Sequence, residues 1–447
     1  MRRSPLYRGL LLSVMACGVA GLSPGSAHAV IGALDQVPAA TLLLPHFEVD
    51  LDDPNGPQTR FTVINTDAAP ALAKVTLWSD LGVPTFNFDV YLEGRDTVEI
   101  DLRLVFTGVL PQTGPGLVTL GGQSDPSANF PGCGSAGSST LGASLPTPDL
   151  LSEAQIAHLR SAHTGLGSSS FGGQCAGIAH GDRVARGYAT VDVVNACSVV
   201  MPTTPGYLIA DNAGIASTRN VLAGSFALIE RRAGGSAASS ALVHIEADTV
   251  AAETTTPGNY TFYSTFVGAS AADNREPAGA VWQARKLGGD FAFEGSELIV
   301  WRDPGRTSPT PFVCGSVPFG FPLGQVGVQS WNESEDVFNL NTPPVFPNPP
   351  PPPALPFAWA SQRVDFSEIT PFESGWSVLN LNFFGAPAGD SIGGVRQSVV
   401  LVRHRTSNGF GPFQPATYSA GPLQLDSPEQ CARGESCSSF TPATWGF

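Results

Sequence analysis

Lysine is almost missing from this chain. Of its 23 basic residues only Lys74 and Lys286 are lysines, and the rest are arginines. That usage reads as the codon bias of a GC-rich genome, with arginine-specific recognition as the lesser reading. Charge is scarce altogether, at 14% of residues, and the net charge is −15. An acidic chain repels phosphate backbones and anionic headgroups, which argues against nucleic-acid and membrane-surface binding. No apolar run reaches the roughly 20 residues that span a bilayer. Cys-x-x-Cys and close Cys/His spacings are missing, so a zinc site is not expected. No fixed-period repeat appears. The strand-rich N-terminal stretch holds no cysteine, so it lacks the Cys…Trp…Cys order of true immunoglobulin domains.

What is present begins with an export signal. Residues 1–29 read as a signal peptide. Arg2, Arg3 and Arg8 make a basic start, Gly9 to Gly21 is apolar, and Ala27-His28-Ala29 is a small-x-small cleavage site. The mature chain is then expected to be secreted or periplasmic, with no transmembrane segment. The rival reading is a lipoprotein anchored through Cys17, with Val14-Met15-Ala16-Cys17 as a degenerate attachment box that Met15 fits poorly. A hydrophobic content of 42% lies well above the disordered regime, and 50 glycines with 39 prolines signal many turns. Both suit all-β domains.

Period-2 alternation dominates the patterning. Phe86, Phe88, Val90 and Leu92 alternate with polar residues, and so do Val98, Ile100, Leu102, Leu104 and Phe106. Such alternation sets one face in a core and the other in water. With Glu93-Gly94-Arg95-Asp96 between them, the two runs are expected to form a hairpin. Thr41–Val49, Arg60–Asn65 and Ala71–Trp78 add three more strands. Residues 30–111 thus read as a β-sandwich of immunoglobulin-like size.

Residues 112–178 read as a Gly/Ser-rich insertion with one short helix, opened by a Ser152/Gln155 capping box and ended near Gly165 and Gly167. A central β region follows over 179–305, with strands at Arg186–Val194, Asn220–Glu230, Ala241–Ala247, Asn259–Val267 and Leu298–Trp301. Residues 306–447 form a C-terminal β region. It contains a polyproline stretch over 343–356, and Trp376–Phe384 and Val395–Arg405 are expected to pair. The fold class is all-β, with two or three sandwich-like units.

Six cysteines remain after the signal: Cys133, Cys175, Cys197, Cys314, Cys431 and Cys437. An even number in an exported chain reads as disulfides, with fifteen connectivities open. Position along the chain suggests Cys133 with Cys175 across the helical insertion, Cys197 with Cys314, and a small Cys431–Cys437 loop. The larger loops would each contribute roughly 4–5 kcal/mol in the chain-entropy model.

Several motifs suggest chemistry and have a plainer alternative. Gly389-Asp390-Ser391-Ile392-Gly393 matches the G-x-S-x-G elbow, in which a strand-to-helix turn exposes the serine. A Val-rich strand follows it here, so a hairpin loop is the preferred reading. Asp50, Asp52 and Asp53 in Glu48–Gly56 suggest a calcium loop. Pro54 stands where a ligand belongs and no Glu closes the loop, so a polar turn is preferred and no cofactor is expected. His158 and His163 are five apart, against the four that zinc helices use. Glu294 and Glu297 are a close carboxylate pair of the kind glycoside hydrolysis needs. Trp282, Trp301, Trp331, Trp359 and Trp376 suit either core packing or stacking on sugars. Asn332-Glu333-Ser334 fits the glycosylation acceptor pattern.

Four segments carry a family resemblance. They are Leu42-Leu43-Leu44-Pro45-His46-Phe47-Glu48-Val49-Asp50, Gly187-Tyr188-Ala189-Thr190-Val191-Asp192-Val193-Val194-Asn195, Ala272-Asp273-Asn274-Arg275-Glu276-Pro277 and Leu298-Ile299-Val300-Trp301-Arg302-Asp303. In these the chain resembles a group of exported β-rich proteins of Gram-negative bacteria. The resemblance implies export and no activity. The functional expectation is a non-enzymatic structural or binding protein of the periplasm or cell surface, with a protein or glycan partner. The alternatives are a secreted hydrolase working through Ser391 or a carboxylate pair, and a lipid-anchored surface protein.

Overall fold

The five N-terminal strand patterns all become strands: β1 (Thr41–Asp50), β2 (Gln58–Asn65), β3 (Ala71–Ser79), β4 (Pro84–Leu92) and β5 (Thr97–Asp101). This computed structural model describes residues 37–113, 126–134, 138–209, 212–230, 236–247, 261–263, 273–289, 293–304, 310–318, 320–323, 327–341, 356–381, 397–406, 417–420 and 423–424. The run after Asp96 departs from expectation. It leaves the extended state at Asp101, whose carboxylate accepts from Arg103 N at 2.9 Å and caps the short helix α1 (Leu102–Phe106). Leu102, Val105 and Phe106 are its buried residues. Spaced three and four apart, they share one face of a helix, which the strand alternation does not capture.

The expected β4–β5 hairpin does not form either. β4 pairs with β3, whereas β5 pairs with β2 in a different sheet. The reason lies in β4 itself, whose residues from Thr85 to Leu92 are all buried, polar Asn87 and Asp89 included. Its supposed wet face is covered by chain from the insertion and from residues 198–201. Ser144 Oγ and Ser198 N donate to Asp89, and Asn87 Nδ2 donates to the Val199 carbonyl at 3.0 Å.

The insertion holds α2 (Pro126–Asn129), two short strands β6 (Ser138–Ser139) and β7 (Gly142–Ala143), and α3 (Glu153–His163). The capping box is present: Ser152 Oγ accepts from Gln155 N at 3.3 Å, and Gln155 Oε1 accepts from Ser152 N at 2.9 Å. Gly165 then takes φ +69°, a left-handed value that glycine adopts freely, and the helix ends.

The later strands are β8 (Val184–Val194), β9 (Leu222–Glu230), β10 (Ser236–Ala241), β11 (Val243–Ile245), β12 (Val281–Lys286), β13 (Phe293–Arg302), β14 (Gly327–Trp331), β15 (Val337–Asn341), β16 (Ser361–Asp365), β17 (Gly375–Asn380), β18 (Ser398–Thr406), β19 (Thr417–Ala420) and β20 (Leu423–Gln424). Among the described residues they form four sheets, ordered β11-β1-β8-β3-β4-β7-β6, β10-β9-β2-β5, β15-β14-β17-β12-β20 and β16-β13-β18-β19. The β4–β7 pair is parallel and the other strand pairs described are antiparallel. β17 and β18, expected to pair, lie in different sheets. The fold is therefore all-β, and α3 is the one helix of several turns among the described residues.

Gly32–Phe447 makes one compact unit, and its buried apolar residues join into one main core. An aromatic ladder runs through it. Trp78 of β3 stacks on Tyr188 of β8 at 5.6 Å, Tyr188 meets Trp301 of β13 edge-on at 6.0 Å, and Trp301 stacks on Phe262 at 5.5 Å. Each such ring removes enough apolar area to contribute on the order of 4 kcal/mol.

Two disulfides are present among the described residues, and they correct the expected pairing. Cys133 bonds Cys197, and Cys175 bonds Cys314, with Cα–Cα distances of 5.0 Å in both. The segment carrying Cys133 is laid against the chain that follows β8, where Cys197 N donates to the Pro131 carbonyl at 3.0 Å. Cys175 and Phe312 exchange two backbone hydrogen bonds of 2.9 Å, which brings Cys314 to Cys175. Proximity in sequence suggested the Cys133–Cys175 staple, but these backbone contacts decide the pairing. Cys431, Cys437, Cys17, residues 1–29 and Pro343–Pro353 lie outside the described residues.

Candidate functional site: the outer face of the β15-β14-β17-β12-β20 sheet

This sheet has one dry face and one wet face. Trp282, Ala284, Val328, Ser330, Ser377 and Leu379 point inward and are buried. Trp282 Nε1 donates to Ser398 Oγ of β18 at 2.9 Å, and the Ser330 and Ser377 hydroxyls bond each other at 2.7 Å. Alternation sends the intervening residues outward.

The outward residues fall into straight cross-strand rows. Val337, Trp331, Trp376 and Arg285 are direct neighbours in register on β15, β14, β17 and β12. The next row is Asn339, Gln329, Val378 and Gln283. Trp376 is 40% exposed and Val337 51%, and Trp331 is half-buried. Adjacent strands lie about 4.8 Å apart, so the two indoles and Val337 make an unbroken apolar strip across three strands. The Arg285 guanidinium lies 5.1 Å from the centre of the Trp376 ring and pairs with Glu333 at 3.3 Å. It closes one end of the strip with a charge held over an aromatic face.

Gly375 makes the arrangement fit. A Cβ there would collide with the Trp331 carbonyl oxygen, and its φ of +143° is one that side chains rarely adopt. Glycine therefore lets β17 approach β14 closely beside the two tryptophans. Beside Trp331 the turn is fixed by Asn332, whose side chain donates to Asp336 Oδ2 and accepts from Ser334 N and Asp336 N at 2.8–2.9 Å. The side chain of the acceptor-pattern asparagine is thus engaged in its own turn.

The other sequence candidates lie apart from this face. Asp50 Oδ1 accepts from Asp52 N and Asp53 N at 3.0 and 2.8 Å, which makes a polar turn. The Arg103 guanidinium donates to the carbonyls of Asp50, Asp53, Gly56 and Pro57 at 2.8–3.4 Å. A guanidinium thus takes four backbone oxygens of the loop, and Asp52 pairs with Arg183. Ser391 lies outside the described residues. Trp282 and Trp301 belong to the core, and half-buried Trp359 lies beside Phe321 at 6.3 Å.

Glu294 is exposed, whereas Glu297 is buried and bound to Arg363 and Arg403, so the two carboxyls do not converge. His180 pairs with Asp80 at 3.1 Å. His158 and His163 are both buried and both reach Thr85. His158 Nε2 donates to its carbonyl at 2.9 Å, and His163 Nε2 lies 2.7 Å from its hydroxyl. Among the described residues no group of three His, Cys, Asp or Glu could hold a metal.

At least two clusters of polar side chains among the described residues have no signal in the sequence pattern. Glu48, Glu230 and Glu297 share Arg363 at 2.5, 3.0 and 2.8 Å, and Arg403 joins Glu230 to Glu297. These residues come from β1, β9, β13, β16 and β18, so the cluster ties three sheets together. Burial alone would raise the Glu48 pKa. The His46 hydrogen bond and the charges of Arg363 and Arg186 outweigh it and hold the carboxyl well below the usual range. Ser361 Oγ lies 2.8 Å from His46 Nδ1, and His46 Nε2 lies 3.5 Å from Glu48. Ser361 and His46 are buried, Glu48 keeps a partly exposed edge, and the Ser361 hydroxyl is turned to the Pro45 and Gly187 carbonyls at 2.9 and 3.1 Å. The second cluster is Lys74 with Asp89, Ser144 and Ser198.

No family model matches the chain, and no curated protein matches it. No helix among the described residues is long and apolar enough to cross a membrane.

Proposed function

We propose that the protein is an exported, non-catalytic glycan-binding protein of the periplasm or cell surface. It holds a saccharide chain against the outer face of β15-β14-β17-β12. In this reading the four sheets form sandwich-like units, and the resemblance to exported Gram-negative proteins reflects the same life outside the cytoplasm.

One observation carries the proposal: the in-register row of Trp331 and Trp376, wet on its outer side and bordered by amides. A sugar ring has an apolar C–H face and a rim of hydroxyls. The indoles offer a flat apolar partner for the first. Gln283, Gln329 and Asn339 lie one row away with donors and acceptors for the second. A stacked aromatic contact is worth about 1 kcal/mol beyond area burial, so affinity rests on several contacts and suits a polymer. The chain's negative charge favours a neutral glycan over an anionic one.

The test is affinity electrophoresis of the purified protein through gels containing neutral bacterial and plant polysaccharides. At least one should retard the wild type. Trp376→Ala and Trp331→Ala should each weaken retardation about tenfold while leaving the melting temperature nearly unchanged. Equal mobility of wild type and both variants in every gel would sink the proposal.

A further inference from the structure

Lys74, one of only two lysines in the chain, stands directly opposite Asp89 across the β3–β4 pair, and both side chains are fully buried. Lys74 Nζ contacts Asp89 Oδ1 and the Ser198 carbonyl oxygen. Asp89 Oδ2 accepts from the Ser144 hydroxyl, and from Ser198 N–H at 3.0 Å. We propose that Lys74 and Asp89 are joined by an isopeptide bond between Lys74 Nζ and Asp89 Cγ.

Donors and acceptors at this site match an amide better than an ion pair. An ammonium carries three N–H donors. Among the described residues only Asp89 Oδ1 and Ser198 O accept from Lys74, so one ammonium hydrogen lacks an acceptor. A secondary amide in the same place has one N–H and one carbonyl oxygen. Ser198 O would accept from that N–H, and Ser144 Oγ and Ser198 N would fill both lone pairs of that oxygen. The surroundings therefore satisfy the amide completely and the ion pair incompletely. Burial favours the same product, because separate charges lose their hydration in this dry site whereas a hydrogen-bonded amide is neutral.

The reaction balances without a co-reactant. A proton passes from Nζ to Oδ1 along their contact, giving a neutral amine and a carboxylic acid. Nζ then attacks Cγ, and charge develops on Oδ2 between two donors already aimed at it. The Nζ–Cγ bond forms, the Cγ–Oδ1 bond breaks, and Oδ1 leaves as water with a second proton from Nζ. Nothing is oxidised or reduced.

The experiment is mass spectrometry of the purified wild-type chain, reduced and denatured. The expected mass is lower by one water than the sum of its residues, with a branched peptide joining the segments that carry Lys74 and Asp89. Acylation of amines under the same conditions should label Lys286 and spare Lys74. Lys74→Arg, which keeps the charge and cannot form the amide, should restore the full mass. Asp89→Asn should form the same bond with loss of ammonia. The full mass in wild type with Lys74 acylated overturns the proposal, as does a water loss that maps to any other residue. Both readings come from wild type, so a variant that fails to fold does not blunt the test.

Discussion

His163 shows how a single buried ring sets a pH limit. Burial pushes its pKa down to about 4, partly opposed by its bond to the Arg186 carbonyl. Nδ1 donates to that carbonyl at 2.9 Å, Nε2 lies 2.7 Å from the Thr85 hydroxyl, which also reaches the Leu77 carbonyl at 2.9 Å, and burial holds the ring neutral near pH 7. In the unfolded chain the pKa is about 6.5. The folded value is the lower one, so the contribution of the neutral ring is complete above pH 6.5 and is lost as pH falls towards 4. The loss amounts to about 3 kcal/mol. Denaturant unfolding at several pH values should show that extra loss in wild type and not in His163→Gln; parallel curves would refute it. The five-residue spacing of His158 and His163 argued against a shared metal; each ring hydrogen-bonds protein groups. It did not foretell that both would meet Thr85, because that depends on where β4 passes under α3. The acidic loop was similarly half legible. Asp50 and Asp53 announced a turn, but nothing local announced Arg103, which arrives from a helix some fifty residues on.

Among the elements, those with their own local signals were read well. The Ser152/Gln155 box fixed the start of α3, and Ser152→Ala should cost about 1 kcal/mol of stability in thermal or denaturant melts. No change would mean that Gln155 and the tertiary contacts hold the helix end by themselves. The patterning located β1 to β4, β8 and β9 to within a few residues, and the start of β5 but not its end, where α1 takes over. It could not say which strand lies beside which, because a period of two reports faces and not neighbours. The β4–β5 hairpin and the β17–β18 pair were both inferred from closeness in sequence, and both strand pairs divide between sheets. The tryptophan face was legible only as a list of aromatic residues. Trp331 and Trp376 are far apart in the chain and become neighbours through the β14–β17 register. Trp282, just as prominent in sequence, points the other way by one step of the pleat.

For the molecule as a whole, the ionic cluster around Arg363 is a polar tie between three sheets. Arg363→Ala leaves Glu48, Glu230 and Glu297 facing one another with less positive charge between them. It should destabilise the fold by about 3 kcal/mol, measured by denaturant unfolding near neutral pH, and a change below 1 kcal/mol would mean that Arg403 and Arg186 suffice. Such a cluster has no sequence pattern, since its members come from five strands spread over most of the chain. Sheet order carries a further consequence. β8 lies between β1 and β3, and β11 closes the far side of β1. A chain that emerges N-terminus first therefore makes its first four strands long before the strand that belongs between two of them. Until Val184–Val194 appears, β1 and β3 carry unpaired edges and bare apolar faces of the kind that invite aggregation. The order of synthesis thus runs against the order of assembly. A chaperone that keeps the chain extended until its central strand has emerged would supply what this topology needs.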